Sequence, residues 1–355
     1  MAKTRRLLRE EITYSFAKQR RGYYDQQIRF FDFLNSQKDS IRSIVAHHLN
    51  LRSPNTCHVA EVEDWLYGSF NVCIPVTIVD WKGKKQPGDR VLLRIPLPYR
   101  VGEAFRPGNS DEKVRCEAGT YAWLQENCPD IPIPKLYGFS VSAGVFSQID
   151  NLPFLMRCLY RVRRCLRSLF GYPTPSHYVG HRGGPELLND EKERSNFLLN
   201  EYIEEDKGRM LSKSWLKKRD DPTLRMNLFR DLSRIFLSLA RHPVPKIGSV
   251  TIDNSGFLRF ENRPLPLGIQ ELENEEIPID IPRDYTYSTV DSYIVDILGL
   301  HDSRFRHQPN AINNYKSWIR KTGKDEMLQG ICVDRIRTIN HTASSAKEIL
   351  HQIRP

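Results

Sequence analysis

The chain has 355 residues, 39% of them hydrophobic and 27% charged, a balance that excludes wholesale disorder and allows one large core or two smaller ones at ~100–200 residues per domain. Its formal net charge of +10 raises nucleic acid or anionic lipid as partners and equally suits a protein that holds a nucleoside triphosphate. No apolar run approaches the ~18 residues needed to span a bilayer; the start lacks the apolar stretch of a secretory signal, and Glu10 and Glu11 set against Arg5, Arg6 and Arg9 favour a cytoplasmic over a mitochondrial location.

Residues 10–50 are predicted helical, with Phe16, Tyr23, Tyr24, Ile28, Phe31 and Leu34 recurring at three- and four-residue steps before Ile41, Ile44 and Val45. Asp39 or Ser40 is placed to cap the second stretch. After Pro54 the period changes to two. Strands are predicted from Val59 to Leu66, from Val72 to Val79 and from Val91 to Ile95, with turns at Gly68 and over residues 82–89. Ser110 or Asp111 opens a helix that carries Val114, Glu117, Ala118, Tyr121 and Leu124 and is ended by Cys128-Pro129. A short strand at Leu136–Phe139 follows.

Residues 150–195 look like an insertion, in which Arg157, Arg161, Arg163, Arg164 and Arg167 alternate with Leu155, Leu159, Val162, Leu166 and Leu169. A solvated face on an inserted helix is the expectation there. The alternative is contact with a membrane surface, an RNA or an acidic partner. A strand is predicted at Phe197–Ile203, a helix over 224–239 ended by His242-Pro243, and a hairpin around Asp253-Asn254-Ser255-Gly256. Further helices are predicted over 285–320 and 325–340. The expected fold is α+β: a five-stranded antiparallel sheet crossed by one helix, then a helix-rich region. Three parts are expected: a helical extension at 1–54, a sheet lobe at 55–204 with the insertion, and a partial helical lobe at 205–355 whose tail diverges from 341.

Seven cysteines, an odd number without a Cys-x-x-Cys pair, argue against a disulfide framework or a zinc site and for a reducing compartment. The order of elements instead directs attention to phosphoryl transfer, which requires positioning and charge stabilisation. Such a site needs a tight turn over phosphates, a cation on the third strand, a carboxylate on the crossing helix, an Asp to accept the hydroxyl proton, and Mg²⁺ ligands. Gly68, Ser69, Phe70 and Asn71 form a candidate turn, and an ordinary hairpin is the other reading. Arg94 stands on the third strand, as a phosphate contact or as an exposed strand residue. Glu117 stands mid-helix, as its partner or as a solvated acid.

The stretches Gly68-Ser69-Phe70-Asn71, Val91 to Glu103, Cys116 to Leu124, Pro132 to Gly138, Asn200 to Ile203, Asn262-Arg263-Pro264-Leu265 and His301 to Asn310 resemble a fungal family of aminoglycoside-phosphotransferase-like proteins over about residues 55–335. The resemblance implies a two-lobed protein-kinase-like fold and ATP-dependent phosphorylation of a small-molecule hydroxyl with Mg²⁺. It implies phosphate contacts at Gly68–Asn71 and Arg94, the Arg94 partner at Glu117, and an adenine-facing hinge at Glu201, Tyr202 and Ile203. The family's catalytic loop, His-x-Asp followed by four residues and Asn, is missing: no Asp in the chain has Asn five positions later. His301-Asp302 does not supply it, and neither the metal-binding Asp nor another Mg²⁺ ligand has a candidate. The expectation is a protein cut off before its chemistry and without turnover, with residues 205–355 exposing apolar surface. The alternatives are a nucleotide-binding pseudokinase or scaffold, or an enzyme whose acid lies near Asp231 or Asp302. Nothing in the sequence is specific for nucleic acid.

Overall fold

The structure, a computed structural model, describes residues 22–79, 81, 88–181, 184–187 and 195–307. Helix α1 (22–36) and helix α2 (Lys38–Leu49) open the chain. Gln37 stands at the start of α2 without a side-chain cap, so Asp39 and Ser40 are not caps. Asp39 sits inside the first turn and pairs with Arg42 at 2.8 Å, where its charge favours the helix N-terminus. Asn50, left-handed at φ 53°, ends the helix.

Eight strands form one antiparallel sheet: β1 (Cys57–Val59), β2 (Leu66–Tyr67), β3 (Asn71–Ile78), β4 (Arg90–Pro96), β5 (Leu136–Val141), β6 (Gly144–Gln148), β7 (Tyr178–His181) and β8 (Phe197–Glu201). Their order is β1-β3-β4-β8-β5-β6-β7, with β2 also on β3. The expected five strands are therefore eight. A 3₁₀ turn at Val62–Asp64 breaks the segment expected as one strand into β1 and β2. The 150–195 insertion returns to the sheet as β7, so it is built into the layer on its far edge.

Alternation decides the faces. Val72, Ile74 and Val76 pair with Ile95, Leu93 and Val91 and turn to one side, where Phe31 and Leu34 of α1 and Ile41, Ile44 and Val45 of α2 cover them. Leu136, Phe139, Phe146 and Leu198 turn to the other side and meet Val114, Ala118 and Ala122 of helix α3 (Asn109–Asn127). Each fully buried Val, Leu, Ile or Phe contributes ~1.5–3 kcal/mol of transfer free energy.

Helix α4 (Phe154–Leu169) links β6 to β7. Helices α5 (Leu211–Lys218) and α6 (Pro222–Ala240) follow β8, with Asp221 capping α6 through the Thr223 and Leu224 N–H groups. The expected exposed apolar surface is present here: Met226, Phe229, Phe236 and Leu237 of α6 face outward. The predicted hairpin is β9 (Ser249–Ile252) and β10 (Leu258–Asn262); Asp253 accepts from the Ser255 and Phe257 N–H groups, and Gly256 takes φ 85°. This hairpin lies against α3 so closely that a Cβ on Gly119 would stand 2.5 Å from the Val250 carbonyl oxygen.

Helix α7 (Leu267–Asn274) and helix α8 (Val290–His307) share a third core with Ile277, Ile279, Ile281 and Tyr287. Residues 285–289 are not helical as predicted, because Tyr287 bridges to Ile247. Residues 290–307 are helical as predicted and form α8; positions 308–320 of that predicted helix, and the helix predicted over 325–340, fall outside the described residues. Among the described residues no helix is long and apolar enough to cross a membrane.

Candidate functional site: a cationic crevice between sheet and helix

Because Val91, Leu93 and Ile95 are committed to the α1–α2 core, the pleat sends Arg94 to the α3 side. On α3, Lys113, Glu117 and Tyr121 recur every four residues and share a face. Glu117 Oε1 accepts from Arg94 Nη2 at 3.3 Å and from Lys113 Nζ at 2.5 Å. One carboxylate is thus shared by two cations, leaving the cluster with an excess positive charge. Asn71, at the start of β3, brings its side-chain amide to 3.0 Å from Arg94 Nη2, where the amide oxygen is the end able to accept. Arg94 Nε is buried and has no partner.

Arg94, Lys113 and Glu117 line a cavity of about 520 Å³ with Tyr121, Thr120, Cys116 and Gln270, and with an apolar wall from Leu124, Ile133, Leu265 and Leu267. The Gln270 side-chain oxygen is buried there without a partner. Convergent polar groups beside an apolar wall are what a small-molecule site offers. Burial, with Glu112 adding to it, pushes the Cys116 thiol up to about 12, so it is a neutral wall residue and no nucleophile. Burial also raises the Tyr121 hydroxyl, which accepts from the Asn200 amide at 2.8 Å.

Of the residues singled out in the sequence, Asn71, Arg94 and Glu117 come together. Gly68 donates its N–H to the Asn71 carbonyl at 3.0 Å, which closes the turn; Ser69 is exposed and the Phe70 carbonyl accepts from Leu97. Glu201 lies opposite Val91 on β4, three residues from Arg94 or about 10 Å along the strand. Its carboxylate accepts from the Lys135 N–H and from Lys207 Nζ. The β8 strand ends at Glu201, Tyr202 lies under the Arg90 guanidinium at 4.0 Å, and Ile203 is exposed. Asp231 pairs with Arg234 on the outer side of α6. Asp302 lies in α8.

Sequence reasoning missed Lys113 and Gln270, and it missed what holds α3 in place. Arg263, only 1% exposed, donates to both oxygens of Glu112 (2.9 and 2.8 Å) and of Glu273 (3.0 and 3.1 Å). Arg283 and Asn109 complete the network at 3.1 and 2.9 Å. Burial would lower the Arg263 pKa, and its hydrogen bonds to the Glu112 and Glu273 carboxylates reverse that and raise it. This clamp fixes the first turn of α3, and with it Lys113 and Glu117, against α7.

Among the described residues no group of three or more His, Cys, Asp or Glu is placed to hold a metal ion. No family model, curated protein or solved structure matches the chain, so the crevice carries the functional argument.

Proposed function

We propose that the Arg94–Lys113–Glu117 crevice binds a nucleotide by its phosphates, in a sheet lobe of protein-kinase-like type related to aminoglycoside phosphotransferases. The observation that carries the reading is the ion pair reaching from the central strand β4 to α3 at the mouth of a cavity of nucleotide-binding size. The order β2-β3-β4-β8-β5, with α3 inserted between β4 and β5, supports it, since it places the strand cation and the helix carboxylate as such lobes do. Arg94 and Lys113 would receive phosphate oxygens, and Glu117 would hold both cations in position.

The residues present do not fit Mg²⁺: among the described residues Glu117 is the sole carboxylate lining the cavity, and it is already shared by two cations. No step is therefore routed through a metal. With no Asp followed five positions later by Asn in residues 1–355, the proposal for these residues is binding without phosphoryl transfer. A small hydroxylated acceptor remains an implication of the sequence resemblance alone.

Titration of the full chain with ATP and ADP, with and without Mg²⁺, tests this. Arg94→Ala removes charge-assisted hydrogen bonds of ~1.5–3 kcal/mol and is expected to weaken binding about tenfold or more, with melting unchanged within a few degrees. Arg94→Lys, which loses the planar fork, is expected to fall between the two. No binding at millimolar ATP, or equal affinity in Arg94→Ala, would sink the reading.

A further inference from the structure

Helix α4 is packed with its faces reversed. At 100° per residue, Leu155, Leu159, Val162, Leu166 and Leu169 lie in one arc, and all five are 50–77% exposed. The side turned to the protein is made of Tyr160 and arginines. Arg157 donates to the Asp150 carbonyl, Tyr160 to the Ser176 carbonyl, Arg164 to Glu126 at 3.1 Å, and Arg167 to the Pro173 carbonyl. The solvated cationic face expected from the sequence is thus largely tied down, and the apolar face stands in water.

We propose that this face docks on an anionic lipid surface. From Phe154 to Tyr172 the chain has five arginines and no acidic residue. Arg161 and Arg163, both exposed, flank the apolar arc, where their stems lie along apolar surface; Arg163 reaches toward lipid phosphates, and Arg161, paired at 2.8 Å with the half-exposed Asp150 carboxylate, would exchange that partner for one. The apolar surface continues past the leucine arc to Phe154 and Met156 at one end and Phe170 and Tyr172 at the other, all exposed. That is broader than the narrow seam a partner helix requires, and its aromatic ends suit the headgroup level.

Electrostatics oppose other occupants within reach of this chain. A second copy would bring arginine borders against arginine borders with no acid on either helix. The terminal segments outside the described residues are themselves basic, with seven Lys and Arg against two Glu in residues 1–21, and eight against four Asp and Glu in residues 308–355.

The test is co-sedimentation of the full chain with phosphatidylcholine vesicles, with and without about 30% phosphatidylserine. Binding is expected to be at least about tenfold stronger with phosphatidylserine and to weaken with salt. Leu159→Glu/Leu166→Glu, at outward positions, is expected to abolish it, and Arg161→Glu/Arg163→Glu to reduce it at least about tenfold. Near-ultraviolet circular dichroism establishes that each variant is folded, and either variant alone suffices for the reading. The proposal is overturned if phosphatidylserine vesicles are not bound, or if folded variants bind as the parent does. It is equally overturned if the apolar substitutions instead break a dimer, or if an acidic amphipathic peptide binds the face while vesicles do not.

Discussion

A buried arginine between two buried glutamates is stable only while the set is complete. Taking one partner from such a group leaves a charge in low dielectric, which costs more than the intact group contributes. Arg263→Ala is therefore expected to lose ~3–5 kcal/mol, read as a shift of the urea midpoint, because Glu112 and Glu273 are left facing each other at 4% and 1% side-chain exposure. Unchanged stability would show that the network adds nothing to the fold. Arg263 belongs to the Asn262-Arg263-Pro264-Leu265 stretch that carried part of the sequence resemblance. The residues were visible and their work was not, since Glu112 and Glu273 lie 151 and 10 positions away from Arg263. Arg94 and Glu117 were easier to pair, because strand alternation and helix periodicity each fix a facing direction. Lys113 and Gln270 needed the third dimension.

Among the elements, α3 is the one on which the crevice depends, held by the sheet on one side and the β9–β10 hairpin on the other. Gly119 permits that second contact. Its Cβ would meet backbone atoms at 2.5 and 2.8 Å, which cannot swing aside as a side chain can. Gly119→Ala raises helix propensity yet forces the hairpin away, so the expected result is a net loss of ~1–3 kcal/mol; a rise in melting temperature would contradict the close packing. Strands β3 and β4 were legible because they are buried on one face and alternate. Strand β5 is buried at every position from Leu136 to Val141, so only its apolar run Leu136–Phe139 registered and no alternation did, and β7 lay in the stretch taken for an insertion. The amphipathy of α4 could be read, but amphipathy reveals two faces and does not say which one the protein covers.

At the scale of the molecule, α2 is joined to the far edge of the sheet through histidine. His48 is fully buried, with Nδ1 2.9 Å from the Ser147 hydroxyl of β6, Nε2 unpartnered, and the Phe197 ring of β8 beside it. The rings of His47, from α2, and His181, from β7, stack edgewise 5.3 Å apart, and His47 is 5.5 Å from His48. Burial holds His48 well below its ordinary value of 6.5, and His47 and His181 lower it further. Both neighbours are themselves lowered by burial.

The sign follows from proton uptake. Below pH 6.5 the unfolded chain binds protons at these sites that the folded chain refuses, so stability is unaffected above that pH and falls as pH drops beneath it. Urea midpoints are expected to fall between pH 7.5 and 5.5, with a shallower slope in His48→Gln. A flat profile, or one that His48→Gln leaves unchanged, would remove the histidines as the cause.

The covering of the sheet by α1 and α2 also bears on where a shorter version of this protein can begin. The sequence treats residues 1–54 as an extension to a lobe starting at 55, but Phe31, Leu34, Ile41 and Ile44 belong to the core that buries Val72, Ile74, Val91 and Leu93. A chain begun at 55 would present that whole sheet face to water and invite aggregation. The smallest unit able to fold alone has to include α1 and α2.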